Sequence, residues 1–423
     1  MGRGAGMGWY RELDGRQRKA FWACFGGWAL DAMDVQIYAL VLPTIMAQWM
    51  LSKAEAGTLG TVALLASSFG GAIAGHLADR IGRVKVLQIS ILWFSAFTFL
   101  SGLTQNYEQM MIARTLQGLG FGGEWAAGAV LIAELVGPKN RGRTIAAVSS
   151  GWSVGYGSAA ILFTILFYFL TPEMAWRGMF FLGILPAILV IFVRRNVAEP
   201  ELYLSAQKDM APGSRPGILD IFKSKLGLRT AVAWAICLGV LGGNYTVLTW
   251  LPTYLQTERG LSYSNTGFYL LVNIVGSFFG YILGGVISDR MGRRNALKLL
   301  SVLGTLSVFA YLLFASSPLA ILIMGFPLGF AQSAMNSGLG PLLSELFPTQ
   351  LRATGQGFCY NAGRGVGALF PALVGLFAAT AGLTVAISTA AACAYALVLI
   401  CSFLLPETRG RQLSTIDLAG NAT

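Results

Sequence analysis

Twelve long apolar stretches, separated by short polar segments, account for most of the chain. They fall near 21–49, 57–78, 84–103, 107–135, 144–170, 176–194, 229–256, 264–287, 294–315, 317–345, 353–381 and 383–405. Each is about 20 residues or longer, the length a helix rising 1.5 Å per residue needs to cross a hydrocarbon core of ~30 Å. Inside lipid every backbone polar group must be paired within the segment, which a helix does by itself. The pattern therefore predicts an all-α membrane protein of twelve transmembrane helices. The longest polar segment carries several prolines and divides the helices six and six. The expected organisation is a segment 1–19, a six-helix bundle 20–194, a central loop 195–228, a second six-helix bundle 229–405 and a tail 406–423. The first apolar stretch is too long for the core of a signal peptide, so it is expected to persist as the first span.

Composition agrees with this reading. Only 12% of the 423 residues are charged, roughly half the usual soluble fraction, and 53 are glycine. Small residues let helices approach closely in lipid. The net charge of +11 would raise nucleic acid as a partner in a soluble protein. Here the basic residues mark topology instead. Twenty-five of the thirty fall at the chain ends, in the central loop or in the 2–3, 4–5, 8–9 and 10–11 loops, all on one side of a twelve-span arrangement. The other side has Lys53, Arg177 and Arg259, and Arg114 and Arg364 lie within spans. Basic residues stay cytoplasmic, so both termini are expected there. The five cysteines all lie in apolar stretches, without CxxC spacing, and read as small buried residues. With His76 the single histidine, neither a histidine metal site nor a Ser-His-Asp triad is expected.

The two halves repeat one another. GHLADRIGR at 75–83 follows span 2, and GVISDRMGR at 285–293 follows span 8, an offset of 210. ELVGPKNRG at 134–142 follows span 4 and ELFPTQLRA at 345–353 follows span 10, an offset of 211. AEP at 198–200 ends span 6, and PETR at 406–409 ends span 12. Two parallel six-helix repeats imply a substrate site between the halves near the middle of the bilayer.

These motifs resemble the major facilitator superfamily. The 75–83 loop matches its G-x-L-A-D-R-x-G-R signature, and Arg114, Gln117, Gly118 and Gly120 match its span-4 signature. Within the superfamily the chain is similar to the sialate:proton symporters and the neighbouring aromatic-acid:proton symporters. That closer likeness is carried by Trp9 and Tyr10, by the run from Gly27 through Asp31 to Asp34, by Gly122 to Ala126, and by Asn361 to Gly365. Some sialate transporters carry extra spans in the middle, which this chain lacks. The resemblance implies two pseudo-symmetric bundles and proton-coupled uptake of a small organic acid across a bacterial inner membrane. It implies no cofactor beyond the proton, no nucleic acid, and a monomer held in the lipid bilayer. Aromatic carboxylates, short monocarboxylates such as lactate, and sialic acid all remain open as substrates.

Five charges lie within apolar spans: Asp31, Asp34, Arg114, Glu124 and Arg364. Each costs at least ~2.5–3.5 kcal/mol near the bilayer centre, so each is read as facing a cavity. Asp31 and Asp34, three apart, can share one helix face, and their repulsion in a dry site favours protonation of one. The alternative is that Asp34 is a static partner of Arg114. In related sugar:proton symporters a span-1 Asp and the span-4 signature Arg form the coupling pair, and the resemblance carries those roles onto Asp34 and Arg114. Glu124 reads as a second proton site, a substrate contact or a structural group. Arg364, in the other half, reads as a clamp on the substrate carboxylate, because a guanidinium binds carboxylates with two parallel bonds. Its alternative is a salt bridge to Glu124 or Asp31.

Uncharged candidates for the cavity are Trp152, Tyr156, Asn244, Tyr245, Asn273, Gln332, Asn336, Tyr360 and Asn361. Gly75, Asp79, Arg80, Gly82 and Arg83 are expected to form a cytoplasmic gate with neighbouring helix ends, as are Asp289, Arg290 and Arg293 in the second half. His76 is either structural or a proton handler. A fixed cation in the second half argues against a cationic substrate. A uniporter or antiporter for a sugar, cation or drug is the competing reading. A sensor or membrane enzyme finds no nucleotide, metal or nucleophile motif in its support.

Overall fold

The computed structural model describes residues 10, 12–135, 144, 147–185, 187–188, 221–223, 225–347 and 351–408. Helices run as α1 (Gly15–Trp49), α2 (Lys53–Ile81), α3 (Arg83–Ser101), α4 (Tyr107–Leu135), α5 (Gly151–Phe169) and α6 (Pro172–Leu182). The second half has α7 (Lys225–Thr257), α8 (Tyr263–Met291), α9 (Arg293–Phe309), α10 (Pro318–Leu346), α11a (Arg352–Gly367), α11b (Phe370–Ala381) and α12 (Leu383–Leu404). Among the described residues ten spans are long and apolar enough to cross a membrane, α11a and α11b counting as one. The twelve-span reading adds two. α4 is 29 residues long, but Arg114, Gln117, Glu124 and its glycines dilute its hydropathy. α6 is 11 residues long, and the continuation of its apolar stretch past 188 lies outside the described residues. The central loop from 195 to 220 and the tail beyond 408 also lie outside them.

Local signals explain the helix ends. Asp14 accepts from the Gln17 amide at 2.7 Å while the Gln17 side chain accepts from the Asp14 amide, a reciprocal cap on α1. Met50 ends α1 in the left-handed region, and Ser52 with Glu55 caps α2 in the same reciprocal way. Tight turns join α2 to α3 and α8 to α9. Gly82 (φ 111°) and Gly292 (φ 90°) make them, a conformation that L side chains avoid.

The internal repeat extends to individual contacts. On α2, the Cα of Gly70 lies against the Leu119 carbonyl of α4. On α8, that of Gly280 lies against the Phe330 carbonyl of α10. The two contacts are related by the 210 and 211 offsets of the sequence motifs, and a Cβ at either glycine would enter the opposing backbone. Within the halves α2 packs on α4 as α8 packs on α10, and α3 on α4 as α9 on α10. Between the halves α1 meets α7, α2 meets α11a and α11b, and α5 meets α8. Large apolar side chains such as Phe69, Ile112, Phe268 and Leu306 point outward, as helices bathed in lipid require.

Candidate functional site

Asp34 lies past the middle of α1 and is fully buried. Its Oδ2 accepts from Gln117 Nε2, which also donates to Thr98 Oγ1 at 2.9 Å. The other end of the same amide, Oε1, accepts from Arg114 Nη1 at 2.6 Å. Arg114 and Gln117 are three apart on α4 and therefore share a face. The expected Asp34–Arg114 pair is thus linked through an amide, with Gln117 standing between the two charges. The Arg114 guanidinium lies over the Tyr38 ring, 4.4 Å from its centre, and the Tyr38 hydroxyl donates to the Ala56 carbonyl at 2.6 Å. Asp34 Oδ1 and Arg114 Nε find no hydrogen-bond partner among the described residues.

These groups form one wall of a cavity between the halves. Asp34, Gln36, Tyr38, Arg114, Gln117, Phe121 and Trp152 line it from the first half, and Tyr245, Leu248 and Thr249 from the second. Only about 30 Å³ of it admits the centre of a water molecule. At ~10–15 Å³ each, that is room for two or three waters, so the walls must part to receive an organic acid.

Arg364 approaches from α11a and is buried. Its guanidinium lies over the ring of Phe121 at 4.4 Å, and Phe121 is a cavity wall one turn beyond Gln117. The phenols of Tyr245 and Tyr360 lie within the field of the Arg364 charge. Its Nε has no hydrogen-bond partner among the described residues. Tyr281 adjoins this group and accepts from Asn336 Nδ2 at 3.3 Å. A carboxylate of the first half therefore stands at the cavity wall, and a cation of the second half stands behind Phe121, on the far side of that wall.

The other expected residues are distributed as follows. Trp152 lines the cavity and packs on Trp28 with ring centres 5.5 Å apart. Asn361 donates to the Gly357 carbonyl of its own helix at 3.0 Å, the bond of a packing residue. Asn244 is buried on α7. Tyr156 is buried towards Tyr311, Gln332 towards Tyr395, and Asn273 donates to the Gly325 carbonyl at 3.2 Å. These three are not walls of the cavity. Asp31 is fully buried on α1 and is not a cavity wall. The side chains of Glu124, His76, Asp79, Arg80 and Arg83, and Gly75 with them, lie outside the described residues.

The second gate motif is described. Arg293 bonds Asp289 at 2.5 Å and Glu345, at the end of α10, at 2.9 Å. Glu407 accepts from the Arg293 and Arg294 amides and so caps α9, while Thr408 donates to Glu345 at 2.6 Å. This knot ties α8, α9, α10 and the end of α12, all within the second half. Arg290 faces outward and exposed.

Gln117, Tyr38, Thr98 and Phe121 were not singled out from the sequence as site residues. The available signal was Gln117's position one turn after Arg114 inside the span-4 signature.

The family model described as Major Facilitator Superfamily matches residues 24–371 and 275–419. The chain is 41% identical to a probable 4-methylmuconolactone transporter of Cupriavidus pinatubonensis, over 97% of this chain and 95% of that one. It is 32% identical to a cis,cis-muconate transport protein of Acinetobacter baylyi, over 85% of this chain and 87% of the other. Among solved structures it superposes on a bacterial homologue of the human lysosomal transporter Spinster, in an inward-facing, unoccupied conformation. The TM-score is 0.73 at 17% identity, covering 92% of this chain and 98% of that one. At that identity the likeness concerns the fold.

Proposed function

Because the chain belongs to the Major Facilitator Superfamily, and is therefore a multi-pass membrane transport protein, we propose that it takes up a small unsaturated or aromatic carboxylate together with protons, by alternating access. The observation that carries this reading is a cavity between the halves walled by Asp34 and its amide-linked Arg114, with Arg364 directly behind its Phe121 wall. The transport of muconate and methylmuconolactone by relatives supports the substrate class.

The chemistry follows from the charges. An incoming carboxylate displaces the Phe121 ring from Arg364 and takes two parallel hydrogen bonds from the guanidinium. Asp34 takes a proton, which removes one buried charge before the halves rock about the site. Loss of the proton on the other side restores the Asp34–Gln117–Arg114 arrangement and resets the carrier.

Purified protein in proteoliposomes, tested with cis,cis-muconate, 4-methylmuconolactone and benzoate, should show uptake stimulated by an inward proton gradient and abolished by a protonophore. Asp34→Asn should lose gradient-driven accumulation yet keep counterflow exchange, which needs no net proton release. Uptake indifferent to an imposed pH step defeats symport. An Asp34→Asn carrier that still concentrates acid removes Asp34 from coupling and leaves Glu124 as the group to test.

A further inference from the structure

We infer that Gln117 is a positioning residue of the coupling site, holding Arg114 one amide away from Asp34 and thereby setting the pH at which Asp34 takes its proton. The inference rests on the reading of Asp34 as the proton site.

An amide side chain has an acceptor at one end and two donors at the other. At Gln117 the acceptor end takes Arg114 Nη1 at 2.6 Å, and the donor end serves both Asp34 Oδ2 and Thr98 Oγ1. Thr98 is itself fixed, donating to the Phe94 carbonyl at 2.9 Å. A carboxylate could accept from Arg114 but has no hydrogen to give Asp34 or Thr98, and an aliphatic side chain of the same length can do neither. Arg114 is braced on its other side by the Tyr38 ring, and that phenol is tied to the Ala56 carbonyl. The cation is thus near enough to stabilise the Asp34 carboxylate, but is kept from the direct contact that would fix it as an ion. Oδ1 of Asp34 is left without a hydrogen-bond partner among the described residues, and Asp34 is one of the cavity walls.

Among the described residues the titratable and charged groups around Asp34 are few. On α1 they are Asp31 one turn earlier and Tyr38 one turn later, on α4 Arg114, and on α7 Tyr245 across the cavity. Thr98 of α3, Trp152 of α5 and the α2 residues at the wall carry no charge. The Glu124 side chain of α4 lies outside the described residues.

The test follows the proton itself and needs no substrate. The full-length protein in detergent is titrated while the carbonyl stretch of a protonated carboxyl is recorded by infrared difference spectroscopy. The Asp34 band is assigned, in each background, by adding Asp34→Asn. Gln117→Leu removes the acceptor for Arg114 and frees it to pair directly with Asp34. The midpoint should fall by about one pH unit or more, a tenfold loss of proton affinity, as for a carboxylate beside an arginine. Gln117→Glu neutralises Arg114 and sets a second anion beside Asp34, so the midpoint should rise. Opposite shifts from two substitutions at one position are not produced by a packing role. Midpoints that stay put, or move in the same direction, overturn the inference while leaving Asp34 as the proton site. Absence of any Asp34-dependent band overturns both. Should Gln117→Leu fail to fold, Gln117→Met of similar length takes its place, and a midpoint in it that does not fall overturns the inference.

Discussion

Arg364 and Asp34 are both buried charges, and the structure surrounds them differently. Asp34 has a polar chain leading to a counter-charge, whereas Arg364 rests on an aromatic face and two phenols. A ring face satisfies a guanidinium only in part, with ~2 kcal/mol gained when desolvated, so a carboxylate arriving there improves on it. Arg364→Ala should therefore lose at least about tenfold in affinity for benzoate, given ~1.5–3 kcal/mol for a charge-assisted bond. Arg364→Lys should also weaken it, because an ammonium lacks the planar fork. Benzamide should bind the wild type poorly and lose little more in Arg364→Ala, as read by calorimetry on the purified protein. Equal losses for acid and amide, or unchanged benzoate binding in a folded Arg364→Ala protein, would take Arg364 out of the substrate site. Asp31, Asp34, Arg114 and Arg364 were legible because a charge in an apolar stretch is costly and asks for a reason. Gln117, Thr98 and Phe121 were not, since an uncharged polar or aromatic side chain in a membrane helix looks like packing until its neighbours are known.

At the scale of elements, span 11 departs from its sequence reading. The stretch 353–381 reads as one continuous helix, but α11a ends at Gly367 and α11b starts at Phe370. Pro371 explains the break. It has no amide hydrogen, and its ring disfavours helical backbone before it. The Ala372 amide, in the first turn of α11b, donates to Thr61 Oγ1 of α2 at 3.1 Å, and the neighbouring Pro371 carbonyl accepts from Trp250 Nε1 of α7 at 3.0 Å. Backbone irregularity at membrane depth is tolerated only where protein satisfies it in this way. Thr61→Val should leave the Ala372 amide without its acceptor, at ~1–3 kcal/mol, and lower the thermal unfolding midpoint, whereas Thr61→Ser should retain most of it. A Thr61→Val protein as stable as wild type would mean that this bond does not hold the break. Helix positions and the repeat were legible from hydropathy and motif spacing, because both are written in residue type. The break and its bonds to α7 and, across the halves, to α2 were not, because proline inside a membrane helix is common and these partners lie 121 and 311 positions away in the chain.

For the whole molecule, alternating access requires that the two bundles part at one end and close at the other about a common site. In this structure they touch at the end that carries the 1–2, 7–8 and 11–12 turns, where the start of α2 packs on α11b. Gly57 faces the Pro371 carbonyl at 2.5 Å from its Cβ position, and Gly375 lies against Lys53. These small residues let the bundles close tightly, and a closed end there must open for substrate to exchange on that side. A Cβ at Gly60 would lie 3.8 Å from the Pro371 Cβ, the mean separation across a disulfide. A carrier with Gly60→Cys and Pro371→Cys should therefore cross-link on mild oxidation, tying one half to the other. None of the five native cysteines is in a disulfide, so the same oxidation of the wild type serves as the control. If the halves must separate at this end in every cycle, benzoate or muconate uptake should stop on oxidation and return with a reducing agent, while each single substitution stays insensitive. Full cross-linking, verified by mass spectrometry, that leaves uptake intact would show that this end stays closed throughout turnover, and would refute rocking of the two bundles about the Asp34–Arg364 cavity.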